Sequence, residues 1–237
     1  MDTFQKLYGI SRSRIKRHCI ISPLSEAFLF SGLHPGNTHK GFFFRAVETR
    51  FATILSPRFS LFAGDCVLGL EGSPCEYIYL FGSCGGLPGM RIGDMVMVNK
   101  AYNFESFSDM LGKKTARRRI VPDARLSGEI KAFSKGAVKS FAGCATVNSF
   151  LLEERYAGIF KKTGISCVDM ESSLVLNAAA YIEKKAAVLM YVSDIIGKKP
   201  LYNGLRPREQ QRLEKSRRVL AGLLTSFIRM YEENPLT

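Results

Sequence analysis

The chain has 237 residues, 46% of them hydrophobic and 17 of them phenylalanine, enough to bury one sizeable core and to exclude a disordered chain. Six cysteines at 19, 66, 75, 84, 144 and 167 show no CxxC pairing and stand in apolar, strand-like surroundings, as buried free thiols of a reducing cytosol do; a disulfide framework or zinc site has other spacings. The formal net charge of +13 is densest at residues 12–18, 113–119 and 206–218; with no helix-turn-helix, RNP or zinc-finger pattern it marks solvated basic faces or an anionic small substrate, not a nucleic-acid partner.

In chain order, residues 3–17 predict a basic, partly amphipathic helix, and 19–22 a strand. Pro23-Leu24-Ser25-Glu26 opens a helix carrying Ala27, Phe28, Leu29 and Phe30, since proline and an acidic residue both suit a first turn. Residues 32–40 read as a loop from their Gly, Pro and Asn content, and 42–47 and 51–55 as β-rich runs that pair around 48–50. Residues 59–70 do not separate strand from helix. The apolar run 77–81 is a buried strand, which Gly82-Ser83-Cys84-Gly85-Gly86 ends in a tight turn whose backbone N–H groups can approach a ligand. A turn at 91–94 leads into a strand at 95–99.

Residues 113–122 read as an exposed basic loop, 123–133 as a short helix and 138–147 as a long strand. A turn at 148–151 precedes a helix over 152–162, with Gly164 at its C-cap. A strand at 167–170 is followed by a helix whose buried stripe is Leu174, Val175, Ala178, Ala179 and Ile182, then by an apolar strand ending at Ser193-Asp194. Residues 195–207 are loop-like, and a last long helix spans 208–233. With no repeat or linker, residues 1–237 read as one domain, with 1–17 a helical extension and 208–233 a C-terminal helix. The N-terminus has no apolar leader and no run of about 18 apolar residues occurs, so a soluble cytoplasmic protein with no membrane partner is expected.

The stretch 167–194 organises the chain. Glu171 and Asp194 sit at the same point of two successive strands, and a crossover helix would make both strands run the same way, opening both ends onto the edge where α/β sheets bind ligands. Taken alone, Asp194 also fits a cap and Glu171 the N-cap of the helix that follows.

GSCGGLPGMRIGDMVMV, ATVNSFL, VDMESS and YVSD, in this order, resemble the purine nucleoside/uridine phosphorylase superfamily, and within it the methylthioadenosine/S-adenosylhomocysteine nucleosidase branch. The resemblance covers residues 18–230, with 34–70 poorly matched. It implies an α/β fold, a three-layer αβα sandwich around a mixed, partly barrel-like sheet. It also implies a homo-oligomer, a small-molecule purine-type nucleoside as substrate, and neither cofactor nor metal. By the same resemblance Asp194 protonates N7 of the base, Met170 and Glu171 hold the ribose, Phe150 stacks on the base and the Leu151 backbone reads its edge. Ser83, Cys84 and Gly85 border the nucleophile, and Ser193 belongs with the substrate-binding residues. Breaking an N-glycosidic bond passes through an oxocarbenium-like cation, which explains the need for a proton donor at the base and hydrogen bonds on the sugar.

The nucleophile decides the reaction type. Phosphorylases of this superfamily clamp phosphate with arginines, whereas this chain has Ser22 to Ala27 after its first strand and Leu80-Phe81 before the glycine turn. The nucleosidase branch places a Glu after the first strand as general base for water, which points to Glu26. Met190 stands where nucleosidases carry an arginine, and Ser56-Pro57-Arg58 replaces a glycine-rich segment. The expected activity is hydrolysis of a purine-type nucleoside. The alternatives are phosphorolysis with phosphate as co-substrate at a non-standard site, or a catalytically inactive nucleoside-binding protein.

Overall fold

The apolar runs become ten strands of a single sheet in the computed structural model, which describes residues 2–104, 119–138, 140–149, 151–200 and 203–233. The strands are β1 (His18–Ile21), β2 (Pro35–Lys40), β3 (Phe44–Thr49), β4 (Ala52–Pro57), β5 (Tyr77–Gly86), β6 (Met95–Phe104), β7 (Arg119–Ile120), β8 (Ser140–Val147), β9 (Ile165–Asp169) and β10 (Lys185–Ile195). The helices are α1 (Thr3–Tyr8), α2 (Ala63–Leu68), α3 (Ala124–Phe133), α4 (Glu153–Lys162), α5 (Ser172–Tyr181) and α6 (Pro207–Glu233).

The strand path β10-β6-β8-β9-β5 closes on itself, because β5 also pairs with β10; the result is a five-stranded barrel. From β5 the sheet continues outward through β1, β4, β3 and β2. Strand β5 can hold three neighbours because it is long. Tyr77 to Leu80 lie beside β1, Gly85 and Gly86 beside β9, and the whole strand runs along β10.

Alternation along β5 and β10 divides the core. Ile78, Leu80, Cys84, Val188, Met190 and Val192 share one apolar cluster with α2 and α5, whereas Tyr79, Phe81, Leu189 and Tyr191 share another with α3 and α6. The expected αβα layering around a barrel-like sheet is therefore present. Helix α6 is held by Leu220, Leu224, Phe227, Ile228 and Tyr231, a buried stripe at helical spacing. Burial of each large side chain contributes about 1.5–3 kcal/mol.

Several local expectations are corrected. The first helix stops at Tyr8, since Gly9 turns left-handed at φ 75° and caps it, with only one further turn at Arg12–Arg14. The segment read as a helix from Pro23 is interrupted by Ser25 at φ 54° and resumes as 3-10 turns over Ala27–Leu33. The segment expected as a loop over 32–40 contains β2, whose pairing with β3 outweighs its Gly and Pro content. The glycine run does not end β5 in a turn; it stays extended through Gly86, where a Cβ would come within 3.1 Å of Val192, Met90 and Ile195. The two carboxylate-bearing strands do not run the same way. Strand β10 is parallel to β5 and β9 antiparallel to it, because the chain passes around a closed barrel with β5 between them.

All six cysteines are free and buried. Among the described residues no helix is long and apolar enough to cross a membrane. Most of the basic segment 113–119 lies outside the described residues.

Candidate active site

The glycines of β5 bring the ends of β9 and β10 together. Asp194 pairs across from Gly85, and Gly85 across from Val168, so three backbones stand in a row. Strand spacing puts Asp194 and Val168 about 10 Å apart, with Glu171 three residues further along the chain. A bulge between Val192 and Asp194 re-aims the end of β10. A Cβ on Gly85 would stand 3.3 Å from Asp194 Oδ2, a tight contact that would press on that carboxylate.

Asp194 is 6% exposed, and burial raises its pKa above the ordinary carboxylate value, opposed by the Ser193 hydroxyl. Ser193 Oγ lies 2.6 Å from Asp194 Oδ1 and 3.2 Å from the Cys84 carbonyl, to which it can equally donate. A second carboxyl, Glu153 in the first turn of α4, feels the Asp194 charge. Burial first, then Asp194 and Glu154, push Glu153 up to about 7. Sequence reading missed Glu153, because two glutamates at a helix start look like ordinary complements to the helix dipole.

At the end of β9 two carboxyls divide the work. Asp169 caps α5: its Oδ2 accepts from the Ser172 N–H at 2.8 Å and from the Ser172 hydroxyl, and its Oδ1 accepts from Thr146 Oγ1 at 2.8 Å. Thr146 Oγ1 in turn accepts from the Ser173 N–H at 2.8 Å, so the first N–H groups of α5 are satisfied without Glu171. Burial and the neighbouring Glu171 raise Asp169 to about 7. Glu171 makes no capping bond; burial raises its pKa, opposed by the Ser60 hydroxyl and by the Met170 N–H, from which its Oε2 accepts at 3.3 Å.

Glu26 is 3% exposed and reaches β10 by a different route. Its Oε1 accepts from the Tyr191 hydroxyl at 2.7 Å and pairs with Arg217 Nη2 of α6 at 2.8 Å, while its Oε2 is buried with no hydrogen-bond partner. Burial raises its pKa despite Tyr191 and Arg217, which both lower it. Tyr191 stands opposite Ser83 on β5, just before the bulge at Ser193. The structure therefore groups Asp194, Ser193, the Cys84 carbonyl and Gly85 at one point and Met170 and Glu171 just past the next strand end, while Glu26 is bonded to the hydroxyl of Tyr191, the residue opposite Ser83. Leu151 has an exposed side chain, and Phe150 lies outside the described residues. Among the described residues no group of three His, Cys, Asp or Glu side chains could hold a metal ion.

The structure is an α/β protein with a five-stranded barrel and buried carboxyls gathered near the ends of β9 and β10. Residues 64–229 match the model of the phosphorylase superfamily, and the chain belongs to that family. A 5′-methylthioadenosine/S-adenosylhomocysteine nucleosidase of Thermotoga maritima is 30% identical over 125 residues, 52% of this chain and 55% of that protein, so the match spans about half of the relative's length. The fold is similar to that of Vibrio fischeri uridine phosphorylase, with TM-score 0.76 and 14% identity over 93% of this chain and 95% of that one. It is also similar to the Helicobacter pylori 5′-methylthioadenosine/S-adenosylhomocysteine nucleosidase bound to butyl-thio-DADMe-Immucillin-A, with TM-score 0.70 and 14% identity over 91% and 98% of the two chains.

Proposed function

We propose that this protein is an enzyme that hydrolyses the N-glycosidic bond of a purine-type nucleoside. The observation that carries the reading is Asp194, a buried carboxyl whose pKa burial raises, seated against Gly85 within reach of the strand end that presents Glu171. A carboxyl whose protonated form burial favours can donate that proton to a purine N7 as the bond to the sugar breaks. Glu171 accepts hydrogen bonds from the 2′ and 3′ hydroxyls, which strengthen as the sugar becomes cationic. Glu26 takes a proton from water on its unbonded Oε2 as the oxygen attacks C1′, and Arg217 with Tyr191 holds Oε1 in place. The products are free base and free sugar.

Charge favours water over phosphate. The cation beside Glu26 is Arg217, already neutralised by that carboxylate, and a phosphate dianion would meet Glu26 Oε2 instead of a guanidinium. The test is incubation with adenosine, inosine, methylthioadenosine and futalosine, with and without phosphate. Free sugar formed without phosphate is expected. Sugar 1-phosphate formed only with phosphate refutes hydrolysis, and stabilisation by nucleoside without turnover of any of them refutes an enzyme.

A further inference from the structure

The basic run 206–218, which the proposed reaction uses only through Arg217, lines a groove of its own. A cavity of about 430 Å³ lies between the 88–92 turn, the turn after β10 and the start of α6. Pro88, Met90, Ile92 and Ile195 give it an apolar floor, and Arg91, Lys198, Lys199, Arg208 and Arg212 surround that floor. A second lobe of about 530 Å³ shares Arg91 and Arg212 and adds Lys215. Two carboxylates stand among these cations and both are already engaged. Glu209 pairs with Lys199 and accepts from the Arg206 N–H, and Asp94 pairs with Arg212 at 3.0 Å and accepts from the Arg91 N–H. Arg91, Lys198 and Arg208 have no ion pair among the described residues and are exposed at the rim.

The groove is not the carboxylate site seen from another angle. A Cβ on Gly85 would meet Asp194 and Ile196, while one on Gly86 would meet Met90 and Ile195, so the two sites lie on opposite faces of β5. A volume of this size with an apolar floor and uncompensated positive charge fits a small amphipathic anion. Guanidinium groups beside lysines favour a phosphate group over a lone carboxylate.

We propose that this groove binds a phosphate monoester carrying an apolar or aromatic body, independently of the nucleoside site. Phenyl phosphate is the simplest probe, because it has no ribose for Glu171 to hold. Titration calorimetry should show it binding more tightly than inorganic phosphate. The double variant Lys198→Glu/Arg208→Glu should weaken it by about tenfold or more, since each exposed charge contact is reversed, not merely removed. The variant should keep the wild-type melting temperature and bind adenosine as before. AMP in place of phenyl phosphate, at saturating adenosine in an Asp194→Asn background that does not consume the nucleoside, tests whether a nucleotide is accepted; its binding should fall when the double variant is added. The proposal is overturned by an affinity that the double variant leaves unchanged, by inorganic phosphate binding as tightly as phenyl phosphate, or by loss of phenyl phosphate binding in Glu171→Gln. Tighter binding of a single-stranded oligonucleotide at the same salt would overturn it in favour of a nucleic-acid face.

Discussion

Replacing Arg217 by glutamine tests the assignment of Glu26 as the base. The change removes the positive charge 2.8 Å from Glu26 Oε1 and leaves a neutral amide that ends two bonds short of the Nη2 position. Burial already holds Glu26 above its ordinary value, and Arg217 is one of the two groups that oppose it. A neighbouring guanidinium lowers a carboxyl pKa by about 1–3 pH units, so its loss should raise Glu26 by about that much. That corresponds to about 1.4–4 kcal/mol against the ionised form. A base must be ionised to accept a proton, so the ascending limb of kcat/KM against pH should move upward by the same interval, with activity recovered at high pH. Stability gives an independent reading. A carboxyl whose folded pKa lies above its unfolded value favours the fold at low pH, and that contribution is lost as pH rises through the folded pKa. The variant should therefore lose more stability at ~pH 8 than at ~pH 5. A limb that stays in place, with a rate loss equal at every pH, would refute the idea that Arg217 sets the ionisation of Glu26 and leave it a packing residue.

Asp194→Asn should lower kcat by at least ~100-fold with little change in melting temperature, the lower end for losing a general acid; near wild-type activity would move the proton donor elsewhere. Glu153→Gln should remove a carboxyl held at about 7 beside Asp194. Relief of about 1 kcal/mol, after the screening a partly exposed group receives, should raise the melting temperature above neutral pH by about 2–4 °C and leave it unchanged at acid pH. Asp169→Asn puts an amide where the Thr146 and Ser172 donors converge, and urea unfolding should show a loss of about 1–3 kcal/mol for each buried group left unpaired. An unchanged midpoint would mean that the α5 cap is dispensable.

The carboxylates at strand ends were legible because each closes an apolar run, and the run, the helix and the next run are local patterns. Asp194 and Glu171 could be placed at the ends of β10 and β9 on that basis alone. Their relation could not. Whether β9 lies beside β10 or across the barrel depends on β5 pairing with both, and a run of glycines in sequence looks like a turn whether or not neighbouring strands hold it extended. Glu26 was found through the resemblance, but its partners were not, since Tyr191 is 165 residues away and Arg217 sits on a helix that reads as solvated and basic. Strand β2 was missed for a related reason: its Gly, Pro and Asn residues favour a loop until β3 supplies the pairing.

The carboxyls of the site share one property that the chain's net charge of +13 conceals. Glu26, Glu153, Asp169, Glu171 and Asp194 all have raised pKa values, and burial is the largest cause for each. Burial disfavours the charged form of each, and among the described residues Glu26 is the one of them that an ion pair, with Arg217, holds against that cost. In the proposed reaction Glu171 meets the charge that develops on the sugar, and the proton that Asp194 gives to the base keeps the leaving group neutral. In the proposed reaction Asp194 loses a proton and Glu26 gains one, which leaves the total charge of the site unchanged while reversing its direction. The enzyme is reset only when Glu26 releases its proton and Asp194 regains one. Activity should then require an ionised Glu26 and a protonated Asp194 together, and kcat/KM should be bell-shaped in pH, its ascending limb set by Glu26 with Arg217 and its descending limb by Asp194 with Glu153.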